Sequence, residues 1–135
     1  MIIMQIVIGN EMFDLMNEMR EIMNSSNEVF DIQEGAYITN GFILNSAIRF
    51  LEDKIDYNDI NYWEKVNKEN IIYKFPKKEF SKNLTIKYRL SALSEERINQ
   101  IVKNLSDGFG VRVRKNFVTK LILKSTIIEL NKKEL

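Results

Sequence analysis

Val113–Thr126, VRKNFVTKLILKST, and Ile38–Leu51, ITNGFILNSAIRFL, share one layout. At a constant offset Ile38 meets Val113, Phe42 meets Phe117, Ile43 meets Val118, Ala47 meets Ile122 and Ile48 meets Leu123. Polar Asn45 and Arg49 meet Lys120 and Lys124, so an apolar face and a wet face recur at helical spacing in both stretches. The chain therefore reads as one helical unit written twice. A unit of about 45 to 50 residues is too small to bury a large core alone. The two copies are expected to share a core with each other or with a second chain, and isolating either half should be damaging.

Upstream of each helix lies the same kind of lead-in. Leu84–Leu90, LTIKYRL, alternates: Leu84, Ile86, Tyr88 and Leu90 point one way, Thr85, Lys87 and Arg89 the other. That pattern predicts a half-buried strand with a wet, cationic face. Ser94, Glu95 and Glu96 then open a helix whose stripe is Ile98, Ile101, Val102 and Leu105, and Ser106–Gly110, SDGFG, closes it. Arg112, Arg114 and Lys115 precede a final helix predicted to reach about Leu130. In the first half, Ile2–Ile8, IIMQIVI, predicts a strand buried on both faces or paired across an interface. Asn10 is placed to cap a helix whose stripe is Met12, Leu15, Met16, Met19, Ile22 and Met23. This methionine-rich stripe fits core packing better than an adaptable partner groove. After a connector over residues 28–36, Thr39 or Asn40 caps a helix running to about Asp53, where Gly41 costs little.

The pattern breaks between the halves. Residues 54–83 carry Tyr57, Tyr62, Trp63, Tyr73, the only proline, Pro76, and the run KKEFSKN. Asp59 is placed to cap a short helix through Lys68, and Pro76 ends what precedes it. The segment reads as a cover crossing from one half to the other with its aromatics on the shared core; a surface of Tyr57, Tyr62 and Trp63 for stacking nucleic-acid bases is the alternative. The organisation is thus 1–53, 54–83 and 84–135, in an α+β, mostly α fold.

Charge divides along the same lines. Residues 1–54 sum to −6, residues 55–83 to +1 and residues 84–135 to +6, within a net charge of +1. The second half is where an anionic partner is to be sought. Cys and His are both absent, which removes disulfides, thiolate and imidazole metal sites, cysteine nucleophiles and histidine triads. Asp56 with Asp59, and Glu95 with Glu96, are carboxylate pairs better explained as turn and helix-start residues. Neither a glycine-rich phosphate loop nor a nucleophile motif is present. The expectation is a non-enzyme without cofactor or metal. The apolar opening lacks the basic flank and cleavage site of a signal peptide, and no run is long enough to span a membrane, so a soluble, cytoplasmic protein is expected.

Thr85–Leu90 (TIKYRL), Leu93–Val102 (LSEERINQIV) and Gly110–Thr126 (GVRVRKNFVTKLILKST) together resemble the ribbon-helix-helix family of MetJ, Arc and CopG. In that family two strands pair antiparallel into a ribbon that enters the DNA major groove, and the second helices lead with their N-termini toward flanking phosphates. The resemblance covers residues 84–130 well and residues 2–53 more weakly. It implies that Thr85, Lys87 and Arg89 read base edges, with Gln5 the one comparable residue on the first strand beside Ile3 and Val7. It also implies phosphate contacts from Arg112, Arg114, Lys115 and Asn116, and from Thr39 and Asn40 in the first half. Cations at a helix N-terminus oppose the macrodipole, a placement that a phosphate lying between them would relieve. The strand face has a plainer reading, an edge kept charged against aggregation.

One departure from the family concerns register. Members place the last inward strand residue four positions before the first core residue of the next helix, which here is Leu93. Leu93 is off the face of Tyr88 and Leu90, so a bulge or an early strand end near Ser91 is required. The resemblance implies a sequence-specific double-stranded DNA-binding protein, either a repressor or an accessory factor of plasmid conjugation or partition, with a homodimer or higher oligomer on DNA. The other reading is an antitoxin- or inhibitor-like module that takes a basic protein partner through residues 1–53.

Overall fold

The computed structural model describes residues 2–25, 30, 32, 35–80 and 84–133. The fold is α+β and mostly helical: β1 (Ile2–Ile8), α1 (Asn10–Ser25), α2 (Asn40–Leu51), α3 (Ile60–Lys68), β2 (Leu84–Leu90), α4 (Ala92–Phe109) and α5 (Lys115–Lys133). β1 and β2 of the same chain pair antiparallel, from Ile2 opposite Leu90 to Ile8 opposite Leu84, with Gln5 opposite Lys87 at the centre. Much of the predicted connector and part of the KKEFSKN run lie outside the described residues.

Alternation settles which faces of the strands meet the core. Met4 and Ile8 of β1 are buried with Ile86, Tyr88 and Leu90 of β2, whereas Ile3, Gln5, Val7, Thr85, Lys87 and Arg89 are exposed. β1 is therefore not buried on both faces as its composition suggested. It is one edge of a two-stranded ribbon with a solvent side, and its β-branched content serves the pairing with β2.

Beneath the ribbon, α1, α2, α4 and α5 enclose one core. Leu15, Met19 and Met23 of α1 meet Ile43, Leu44, Ile48 and Leu51 of α2 there, with Ile98, Ile101 and Leu105 of α4. The methionine stripe of α1 is core. Every residue of α5 from Leu121 to Ile127 is buried, which removes the wet face expected at Lys124. Lys124 is 5% exposed, and its Nζ donates to the Asn67 carbonyl at 2.9 Å, because the end of α3 closes over that side of the helix. Burial pushes its pKa down from the ordinary lysine value. The corresponding Arg49 of α2 remains exposed.

The segment from 54 to 80 is a cover. Tyr57 and Trp63 are buried, and both polar handles are satisfied: the Tyr57 hydroxyl donates to the Ile48 carbonyl and the Trp63 indole N–H to the Tyr57 carbonyl, each at 3.0 Å. Tyr62 shares a hydrogen bond with Ser125 of α5. With two of its three rings buried in the core, the alternative base-stacking surface is not formed. Further along, Lys77 and Lys78 approach Asp14 and Glu21 of α1, and both Glu18 carboxylate oxygens accept backbone N–H groups of residues 74 and 75.

Helix ends depart from the predicted ones in a few places. α4 begins two residues before Ser94: Ser91 is the N-cap, its hydroxyl accepting the Ser94 N–H at 3.1 Å, and Ser94 is buried in the first turn. The strand thus ends at Leu90 and the helix starts at once, which resolves the register problem without a bulge. Ser106–Phe109 are helical, and only Gly110, at φ 70°, forms the left-handed C-cap. Thr39, not Asn40, caps α2, which stops at Leu51, while α5 runs on past Leu130 to Lys133. Asp59 caps α3 as expected, whereas Asn10 already lies within α1.

Candidate nucleic-acid interface

The solvent side of the ribbon carries three cross-strand pairs: Ile3 with Arg89, Gln5 with Lys87, and Val7 with Thr85. The four residues expected to read bases, Gln5, Thr85, Lys87 and Arg89, are thereby gathered on one face, all exposed. Neighbouring strands lie about 4.8 Å apart, so this face is two side chains wide and of a size that a major groove admits.

Each end of the ribbon meets the start of a helix. At the Ile3–Arg89 end, α2 presses its first turn onto the β2 backbone. A Cβ at Gly41 would stand 2.8 Å from the Arg89 carbonyl oxygen and 2.9 Å from its nitrogen, so only glycine permits this approach. Asn45 completes the junction. Its Nδ2 donates to the Arg89 carbonyl at 3.0 Å, and its Oδ1 accepts the Ser91 N–H at 3.1 Å. Sequence reading put Asn45 on a wet face and treated Gly41 as merely tolerated. A glycine and an amide one helical turn apart were the available signal, but nothing local says that a strand end lies against them.

At the Val7–Thr85 end the start of α5 takes the equivalent place. Asn116, Phe117 and Lys120 share a groove with Val7, Ile8 and Gly9. Lys120 is turned to structural use, 3.6 Å from Glu11 and over the Phe117 ring. Arg112, Arg114 and Lys115 are exposed. Among the described residues none of these three, nor Lys87 or Arg89, has a carboxylate partner, whereas Lys54, Lys77, Lys78, Arg97, Lys103 and Lys132 all do.

The remaining expected phosphate contacts are partly committed within the chain. The Thr39 hydroxyl accepts the Phe42 N–H at 3.1 Å, the Asn40 Oδ1 accepts from Arg20 at 2.6 Å, and the Asn116 Oδ1 accepts the Phe117 N–H at 3.1 Å. These bonds leave the Asn40 and Asn116 amide donors and the Arg20 guanidinium as groups that an anion could still meet. No group of metal-ligating side chains occurs among the described residues, and no helix there is long and apolar enough to cross a membrane.

No family model, no curated protein and no solved structure matches the chain.

Proposed function

We propose that the chain is a sequence-specific double-stranded DNA-binding protein whose two-stranded ribbon enters the major groove. On this reading it is a tandem ribbon-helix-helix protein: β1 with α1 and α2 is one unit, β2 with α4 and α5 the other, and α3 is a cover. The observation that carries it is the ribbon formed within one chain with Gln5, Thr85, Lys87 and Arg89 on its solvent side, flanked by helix starts at both ends. The exposed cations that have no carboxylate partner among the described residues support it further. An edge kept charged only against aggregation needs no second group of free cations beside it.

Lys87 and Arg89 donate to guanine O6 and N7, and Gln5 suits adenine N6 and N7, each good bidentate contact being worth roughly 1 to 3 kcal/mol of discrimination. Arg112, Arg114 and Lys115 hold phosphates. The process served is repression or the assembly of a plasmid transfer or partition complex.

The protein-partner reading has less support. It needs a free acidic face in the first half, yet Glu11, Asp14 and Glu21 lie against Lys120, Lys77 and Lys78, and Glu18 is bound to backbone N–H groups.

The test is retention on random DNA duplexes at moderate and high salt, followed by sequencing. An enriched motif is expected, with log affinity falling against log salt by about 0.9 per phosphate neutralised. Lys87→Ala and Arg89→Ala should relax sequence preference, while Arg114→Ala and Lys115→Ala should weaken binding to all sequences alike. No retention at either salt, or unchanged discrimination in the two strand variants, would overturn the reading.

A further inference from the structure

The ribbon is symmetric in its backbone and asymmetric in its chemistry. The central pair, Gln5 with Lys87, marks a pseudo-dyad that exchanges Arg89 with Val7 and Thr85 with Ile3. A dyad-related pair of identical strands would offer the same side chain at both ends. Here the guanidinium of Arg89 is exchanged for a valine side chain that is 61% exposed, and the threonine paired with that valine for Ile3, which is 57% exposed beside Arg89.

The two ends differ again in what flanks them. Beside Arg89 stands the start of α2, with Thr39 and with Asn40, whose Oδ1 accepts from the Arg20 guanidinium. Beside Val7 stands the start of α5, whose Asn116, Phe117 and Lys120 share its groove and which Arg112, Arg114 and Lys115 lead into. Arg89 and the cations that lead into α5 therefore stand at opposite ends, with Lys87 between them and the cation Arg20 at the start of α2.

Resting on the DNA-binding reading above, we infer that the target is a single, non-palindromic site read in one orientation. Guanines lie under Lys87 and Arg89, and thymines lie under Val7 and Thr85. In the major groove the feature that a valine side chain or a threonine methyl recognises is the C5-methyl of thymine. An exposed valine on a solvated face costs solubility, and a methyl-to-methyl contact gives it a purpose. The weak base readout at the thymine end is matched by the phosphate hold of Arg112, Arg114 and Lys115 at the start of α5. One chain thus binds one asymmetric site without a partner copy to supply symmetry.

The test uses the full chain and the motif enriched from the random pool. Uracil replaces thymine one base at a time, removing the methyl and leaving every hydrogen-bonding group. Affinity should fall about fourfold for each methyl lost at one side of the motif. Val7→Ala should reduce the sensitivity at one thymine, and Val7→Ala with Thr85→Ser should reduce it at both, while leaving the guanine preference intact. Orientation is read separately: the chain has no cysteine, so Val111→Cys, close to the start of α5, carries a tethered iron chelate as its single label. Strand cleavage is expected on the thymine side only. A palindromic motif, cleavage on both sides, or indifference to uracil would overturn this inference while leaving DNA binding in place. Failure to retain any DNA would overturn the ribbon reading and this inference with it.

Discussion

At Gly41 one methyl decides whether α2 sits against the ribbon. An alanine Cβ there meets Arg89 backbone at 2.8 and 2.9 Å, and backbone held in a strand ladder does not yield cheaply. Gly41→Ala is expected to destabilise the protein by about 1 to 3 kcal/mol, the usual range for overpacking. Gly108 in α4 is the control, since a Cβ there meets only the Ile60 side chain, its terminal Cδ1 nearest, and no backbone. Its replacement by alanine gains helix propensity of about 1 kcal/mol, so Gly108→Ala should come out near neutral or stabilising. Urea unfolding of the pair separates them, and a Gly41→Ala cost no larger than that of Gly108→Ala would refute the close approach. Tyr88 poses the opposite problem. Its side chain is fully buried under the ribbon and its hydroxyl has no hydrogen-bond partner among the described residues, and burial raises its pKa well above the ordinary tyrosine value. Removing an unpartnered buried hydroxyl relieves a desolvation cost, and Tyr88→Phe should stabilise by about 1 kcal/mol. A loss of stability in that variant would show that the hydroxyl has a partner.

Among the elements, β2 and the second helix of each half were legible because their signals are periodic, whereas β1 was legible as a strand from its β-branched content but its solvent side was not. Thr85–Leu90 alternates without exception, and the paired residues Ile43 and Val118, Ala47 and Ile122, Ile48 and Leu123 are all buried as their shared layout predicts. Periodicity failed where a third element changes the environment. Lys124 reads as solvent-facing from α5 alone, and it is the carbonyl of Asn67, fifty-seven residues away, that makes its burial tolerable. The Gly41 and Asn45 junction was missed for the same reason, because a contact between a helix start and a distant strand leaves no trace in local pattern. α3 was legible as a cover through its aromatics, but their role depended on burial that sequence does not supply. Trp63 is 1% exposed, stacked on Tyr57 at 6.3 Å and edge-on to Tyr62 at 5.2 Å. Trp63→Ala should cost about 3 to 5 kcal/mol. Measured at a temperature where that variant remains folded, its DNA affinity should equal that of the parent. A selective loss of affinity with intact stability would instead return α3 to the binding surface.

Across the whole molecule, the sheet joins segments from the two ends of the sequence reading, so residues 1–53 and 84–135 are not separable bodies: β1 needs β2, and α2 rests on Arg89 and Ser91. The tyrosines report on this shared core collectively. Desolvation raises Tyr57, Tyr62 and Tyr88 above the ordinary value of 10, and Tyr73 is pushed up to about 12, with Asp14, Glu11 and Glu18 of α1 adding to the effect of burial. In the unfolded chain these groups lose their protons near pH 10, whereas in the folded protein they keep them. The native state therefore binds more protons above pH 10, and stability must fall as pH rises. The fall approaches about 1.4 kcal/mol per pH unit for each buried tyrosine that is ionised only when unfolded. Half-buried Tyr62 and Tyr73 contribute less because solvent screens them. Lys124 acts in the opposite direction, since its lowered folded pKa means that rising pH relieves a buried charge, but it is one group against four. Urea midpoints should be level from pH 7 to 9 and drop steeply between pH 10 and 11. Tyr88→Phe should flatten that drop, because it removes one of the protons that only the folded state retains. A midpoint unchanged up to pH 11 would mean that the tyrosine hydroxyls are in contact with solvent, and with it the single core beneath the ribbon would fail.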